Sequence, residues 1–120
     1  MTLADLTAAD WNDQVIRSMT EKAWTAHVRA LATTCGWMVS HSWLSVHSPS
    51  GFPDLVLVRP QPDGAGRVIF AELKTERGTL RGTQFQWLEA LAACPGVETY
   101  IWRPSDRDHV LDVLRGDLRP

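Results

Sequence analysis

The sequence predicts a small α/β domain in which helices pack on one mixed β-sheet. Three observations carry this expectation. Two long stretches, 20–35 and 82–93, repeat apolar residues at helical spacing. Four short runs, 37–46, 54–59, 67–74 and 97–102, are rich in Val, Ile, Leu, Phe, Tyr and Trp. The elements alternate as α-α-β-β-β-α-β-α, an order that layers helices on a sheet.

The elements follow in chain order. Residues 5–17 read as a short helix with Thr7 as N-cap and Asp10 at the third helical position. Ser18, Met19, Thr20 and Glu21 form a second capping-box pattern, opening a helix over 20–35. Trp24, Val28, Leu31, Ala32 and Cys35 share its inner face, and Gly36 is its stop. A strand over 37–46 leads to the loop HSPSGFP. The run DLVLVR, 54–59, is a second strand. A turn rich in Pro and Gly, 60–66, joins it to a third strand, 67–74, so the two form a hairpin. A polar connection, 75–83, precedes the helix at 82–93, which Cys94, Pro95 and Gly96 close. After the fourth strand, Arg103 and Pro104 lead into a last helix, with Ser105 as N-cap and Asp108 at the third position. Residues 1–19 are then an N-terminal helical extension and 20–118 a single domain.

Bulk properties narrow the function. A length of 120 residues fits one domain, and 44% hydrophobic residues supply a core. The first ten residues lack the basic end and apolar run of a signal peptide. No stretch approaches a membrane span of about 18 apolar residues. The two cysteines, Cys35 and Cys94, lack metal-ligand spacing and read as buried free thiols, which fits a reducing, cytoplasmic setting. Net charge is −2. That excludes nucleic-acid binding by bulk charge alone, but not a local basic patch, nor a carboxylate site that a cation offsets.

The run VIFAELKTE, 68–76, poses the chemical question. Its strand is apolar except for Glu72 and Lys74, which alternation places on one face. Hairpin pairing brings Asp54, at the start of the second strand, near Glu72. Two close carboxylates repel unless a cation lies between them. Oxygen ligands, including a backbone carbonyl (Leu73 in this strand), suit Mg²⁺ or Mn²⁺. Lys74 could orient or deprotonate a water, or stabilise charge on a phosphate; this is a layout for metal-assisted phosphodiester hydrolysis. The competing reading is an ordinary Glu72–Lys74 salt bridge at a sheet edge.

GFPDLVLVRP, FAELKTERG and QFQWLEAL together resemble the PD-(D/E)XK nuclease superfamily, and within it the VRR-NUC domains, especially small stand-alone versions found in phages. The resemblance runs from Glu21 to the WRPSD at 102–106. It implies a restriction-endonuclease-like core with Asp54, Glu72 and Lys74 as catalytic centre, Glu21 completing the metal shell, and Gln84 part of the site. Glu21 is otherwise explained as a helix cap. Gln84 either bonds backbone carbonyls near the hairpin or orients Lys74 and a water. Three positions depart from the family pattern. Arg81-Gly82 stands where Thr-Pro is usual, shifting the cap to Thr79 or Thr83 or weakening it; Phe85 replaces a charged residue; His27 stands where glutamine often occurs.

Arg77 and Arg81 are candidates for phosphate contact, against a solvated loop. His41 and His47, with Trp43 between them, are candidates for backbone or base contact, against packed and surface roles. Trp24, Trp37, Trp87 and Trp102 read as core or interface. The resemblance implies DNA as partner, branched forms such as four-way junctions in particular, and a homodimer to cut two strands. The apolar stripe of Trp11, Val15 and Ile16 serves such a partner or its own domain. A catalytically inactive nucleic-acid-binding module on the same fold is the alternative. A partner protein without nucleic acid is permitted by the charge but has no supporting motif.

Overall fold

The computed structural model describes residues 13–41, 49–62 and 64–116. In chain order these form α1 (Asp13–Arg17), α2 (Glu21–Thr34), β1 (Met38–His41), β2 (Leu55–Arg59), β3 (Arg67–Leu73), α3 (Gly82–Ala92), β4 (Val97–Trp102), a 3₁₀ turn (Pro104–Asp106) and α4 (Arg107–Arg115). The strands make one four-stranded sheet in the order β1-β2-β3-β4. β1–β2 and β2–β3 pair antiparallel, and β3–β4 pair parallel across the α3 crossover. This is the expected small α/β, restriction-endonuclease-like architecture. The N-terminal parts of the 5–17 helix, the 42–46 part of the first strand, Trp11, Trp43 and His47 lie outside the described residues.

Strand alternation divides the sheet. Leu55, Leu57, Ile69, Ala71 and Leu73 are fully buried on one face. They pack against Trp24, Val28 and Leu31 of α2 and Val110, Val113 and Leu114 of α4. Two tryptophans tie these helices to the rest. Trp24 Nε1 donates to the Trp102 carbonyl at 3.0 Å, and Trp37 Nε1 to that of Leu114 at 2.8 Å, so these two buried indole N–H groups have acceptors. The opposite face takes α3. There Phe52 sits edge-on to both Phe70 and Trp87.

The sheet end remote from Glu72 is pinned by charge. Arg67 makes a two-pronged, buried ion pair with Glu98 at 2.6 and 2.7 Å and donates to the Val113 carbonyl. Arg59 donates to the Leu114 carbonyl at 2.9 Å, and both guanidinium groups lie over the Trp37 ring. Two cations thus meet the C-terminal carbonyls of α4, where the helix dipole favours positive charge.

The helix starts differ from the sequence expectation in two places. Ser18 is not the cap of α2. Its hydroxyl donates back to the Val15 carbonyl and its N–H to Gln14 and Val15, closing α1. Thr20 is the cap, accepting from the Ala23 N–H at 3.1 Å, and Glu21 is the first helical residue. α3 has Arg81 at its N-cap position with no cap hydrogen bond from that side chain, the weaker cap expected rather than the shift to Thr79 or Thr83. Ser105 is not the cap of the final helix: a 3₁₀ turn over Pro104–Asp106 comes first, and α4 starts at Arg107 with Asp106 at its N-cap position. Arg103, held extended by the following proline, precedes the first turn, and its N–H donates to Asp106 Oδ2 at 2.9 Å. Cys35 is half-buried, but Cys94 is exposed rather than buried, and both are free thiols.

His27 links α2 to α4. Its Nε2 accepts from Arg107 Nε at 2.9 Å, and its ring stacks on Trp24. Burial, with the Arg107 charge, lowers its pKa from 6.5 to about 4. The unfolded chain therefore binds a proton that the folded chain refuses, so stability present above pH 6.5 is lost as pH falls toward 4. His27→Gln keeps an acceptor without titrating. Chemical denaturation at pH 7 and pH 4.5 should show the wild type losing on the order of 1–3 kcal/mol more than this variant. Equal losses would contradict the account.

Candidate active site

The register of the β2–β3 pair builds the centre. Leu55 faces Ala71 and Val56 faces Phe70, so one further step sets Asp54 across from Glu72. β2 ends there. Asp54 Oδ2 takes over as acceptor, receiving the Leu73 N–H at 2.8 Å. A carboxylate thus continues the ladder where main chain leaves off, and its position is fixed by the sheet itself.

The segment GFPD is shaped to deliver that aspartate. Gly51 has φ +82°, and a Cβ there would lie 2.5 Å from the Thr83 carbonyl carbon, so only glycine lets the loop pass the start of α3. Phe52 fills the gap between Phe70 and Trp87. Pro53 is buried, and Asp54 follows.

Glu72 is only 1% exposed. Its Oε1 accepts from Gln84 Nε2 at 3.0 Å, while Gln84 Oε1 accepts from the Arg81 N–H at 2.8 Å. One glutamine therefore caps α3 and orients the buried carboxylate. It bonds neither Lys74 nor hairpin carbonyls, the two partners considered from sequence. Lys74 Nζ stands 3.9 Å from Glu72 Oε1, at the outer limit of an ion pair and too far for a hydrogen bond. Glu72 Oε2 is buried with no hydrogen-bond partner among the described residues.

Burial first, then the Asp54 carboxylate and its hydrogen-bonding approach, push the Glu72 pKa up to about 8; Lys74 opposes this and Glu21 adds to it. Without a cation, the pair holds a proton near neutrality. A proton or a cation must neutralise it.

A cleft of about 500 Å³ opens beside the pair, lined by Glu21, Lys22, Thr25, Arg29, His41 and Asp54 among others. Glu21 reaches the cleft because Trp24, one turn later, anchors α2 to the end of β4. Lys74 is fixed at the same point, its N–H donating to the same Trp102 carbonyl at 3.1 Å. His41 ends β1 at the cleft; burial and then the Arg29 charge lower its pKa. Sequence reasoning missed Lys22 and Arg29. Their spacing with Thr25 and Ala26, a polar stripe on the helix face beside Glu21, was the available signal.

Arg77 and Arg81 are exposed and are not among the lining residues of this cleft. Arg77 lines a second groove with Arg17, Met19, Thr20 and Glu76. The loop bearing it is clasped by Arg103, whose Nη1 donates to the carbonyls of Thr75, Glu76 and Gly78. Glu76 Oε2 accepts the Ser105 N–H in return.

Among the described residues, no three Asp, Glu, His or Cys side chains stand close enough to make a ready-built metal cage. The donor set nevertheless suits a hard cation: two converging carboxylates, one with an unpartnered buried oxygen.

A family model described as the VRR-NUC domain matches residues 7–103. No curated protein and no solved structure gives a significant match. The matched span contains Glu21, Asp54, Glu72, Lys74 and Gln84. It stops before α4, which completes the core.

Two outcomes follow from the geometry. Glu72 binds its proton more tightly folded than unfolded, so metal-free stability falls as pH rises from 4.5 to about 8. Urea unfolding at pH 9 without metal should find Glu72→Gln more stable than wild type by more than about 1 kcal/mol, with little difference at pH 4. A less stable variant at pH 9 would refute the buried-charge account. Gly51→Ala should cost about 1–3 kcal/mol in the same assay, through the clash with α3 and the positive φ. An unchanged midpoint would show that the loop does not seat as described.

Proposed function

We propose, from the premise that the chain belongs to the VRR-NUC domain family, that it is a Mg²⁺- or Mn²⁺-dependent endodeoxyribonuclease. One observation carries the reading: a buried carboxylate held opposite a second one, with an unpartnered oxygen and an amine alongside. Nuclease function is what the family brings; the cation and the substrate's form are our inference.

Asp54, Glu72 and the Leu73 carbonyl would hold the ion, with Glu21 contributing from the α2 side of the cleft. The ion supplies Lewis acidity at a phosphoryl oxygen and a lower pKa for a bound water. The protein's own groups do the rest. Asp54 is locked by the Leu73 N–H, and Gln84 fixes the rotamer of Glu72, so neither carboxylate reorganises during reaction. Lys74, whose side chain is 12% exposed, orients the attacking water or stabilises charge growing on the phosphate. Arg77, Arg81 and His41, with His47, contact the DNA around the scissile bond.

Branched DNA, such as a four-way junction, is the proposed substrate. Cutting it at two strands calls for a homodimer. Met38 and Val58 are exposed cross-strand partners, and Phe85 is exposed on α3, giving apolar surface that association would bury. No helix among the described residues is long and apolar enough to cross a membrane. We place the protein in the cytoplasm, with its two free thiols reduced.

Incubation with junction and linear DNA in Mg²⁺, Mn²⁺ or EDTA tests the proposal. Products should require metal and vanish in Glu72→Ala. Lys74→Ala should lower kcat by about 100-fold or more while retaining metal binding by calorimetry. Asp54→Asn should weaken that binding. Shifted bands without products in every condition would identify a binding module instead.

A further inference from the structure

Five arginines are committed to the fold. Arg17 pairs with Glu76, Arg67 with Glu98, and Arg107 donates to His27, while Arg59 and Arg103 donate to main-chain carbonyls. Arg29 and Lys22 are different. Both are exposed on α2, both line the cleft beside Asp54, and neither makes a salt bridge among the described residues. Acidic groups stand in the same cleft, yet these cations face open space rather than closing on them. Arg29 is close enough to His41 that, after burial, its charge is the next cause lowering the imidazole pKa.

The stripe between them is built for close approach. Thr25 is buried, its hydroxyl turned back onto the Glu21 carbonyl at 2.8 Å, and Ala26 carries a single methyl. Nothing bulky stands between the two charged ends. Lys22 and Arg29 are seven residues apart, about 10 Å along a helix axis. Duplex DNA rises about 3.4 Å per phosphate along its axis, and each strand winds round that axis, so successive phosphates lie farther apart than this rise and the two cations reach two nearby phosphates of one strand. A polyanion entering a cleft that holds the Glu21 and Asp54 carboxylates needs cations beside them, and α2 supplies Lys22 and Arg29.

We infer that the cleft-facing stripe of α2 tracks one DNA strand, with Lys22 and Arg29 each neutralising one of two nearby phosphates, and that Arg29 sets affinity at a position away from the bond cleaved. This rests on the proposed nuclease reading for its substrate class. Arg29 acts as a positioning residue, not a catalytic one.

Binding of a fluorescently labelled four-way junction, followed by anisotropy in EDTA across a salt series, isolates the contact from cleavage. Each phosphate contact contributes about 0.9 to the slope of log affinity against log salt. Arg29→Ala should lower the slope by about one contact, and Lys22→Ala with Arg29→Ala by about two. Arg29→Lys should keep the wild-type slope, because it keeps the charge. Arg115→Ala, an exposed arginine at the end of α4, should also keep it. An unchanged slope in Arg29→Ala would overturn the inference, as would an equal fall in Arg115→Ala. No cleavage enters these readings. A failed nuclease assay with an intact slope effect would therefore sink the enzyme reading alone, and an active nuclease without the slope effect would sink only this one.

Discussion

The arrangement turns on the opposition of Asp54 and Glu72 across the last step of the β2–β3 ladder. Antiparallel pairing normally continues with main-chain groups. Here the Asp54 carboxylate accepts the next N–H, from Leu73. That substitution forces a second acid, Glu72, to stand opposite it on the face that α3 covers. A buried, like-charged pair is unfavourable in the folded protein, and the rest of the local structure holds it in place. Gln84 bonds one oxygen, Lys74 offsets part of the charge, and the Gly51–Phe52–Pro53 segment seats the loop against α3. Such stored repulsion is characteristic of functional sites, where stability is given up for chemistry.

The opposite end of the molecule is held by direct polar contacts. Arg67, Glu98, Arg59 and Trp37 join the sheet to the end of α4, the Arg67–Glu98 pair buried and the Arg59 contact half-buried. The two ends therefore have different roles. One fixes α2 and α4 on the sheet; the other leaves an oxygen without a partner. Trp102 bridges the two functions, because its carbonyl receives both Trp24 of α2 and the main chain of Lys74. Both α2 and the main chain of Lys74 are thereby tied to the same atom.

Much of this was legible in the sequence, and the exceptions have physical causes. The strands showed themselves as short runs rich in apolar, β-branched and aromatic residues, and alternation along β3 placed Glu72 and Lys74 of the ExK pattern on one face. The hairpin then put Asp54 nearby. Cap positions were less legible because they depend on neighbouring elements. The Ser18 pattern is a good capping box in isolation, but α1 uses that serine to close its own last turn. A 3₁₀ turn starts at Pro104, because proline holds Arg103 extended, and it delays the last helix to Arg107. The dual use of Gln84 could not be read, since it requires knowing that the start of α3 lies over Glu72. Arg29 and Lys22 escaped because a charged helix face is usually solvated; only the fold shows that this one borders a cleft.

In the proposed reading, a divalent cation displaces the proton that the carboxylate pair holds in the free protein. Calorimetric titration of Mn²⁺ at pH 7, repeated in buffers of different ionisation enthalpy, measures the exchange directly. With Glu72 pushed up to about 8, binding should release close to one proton per ion, and Glu72→Gln should release none. Tight binding without proton release in the wild type, or the same release in the variant, would contradict the account.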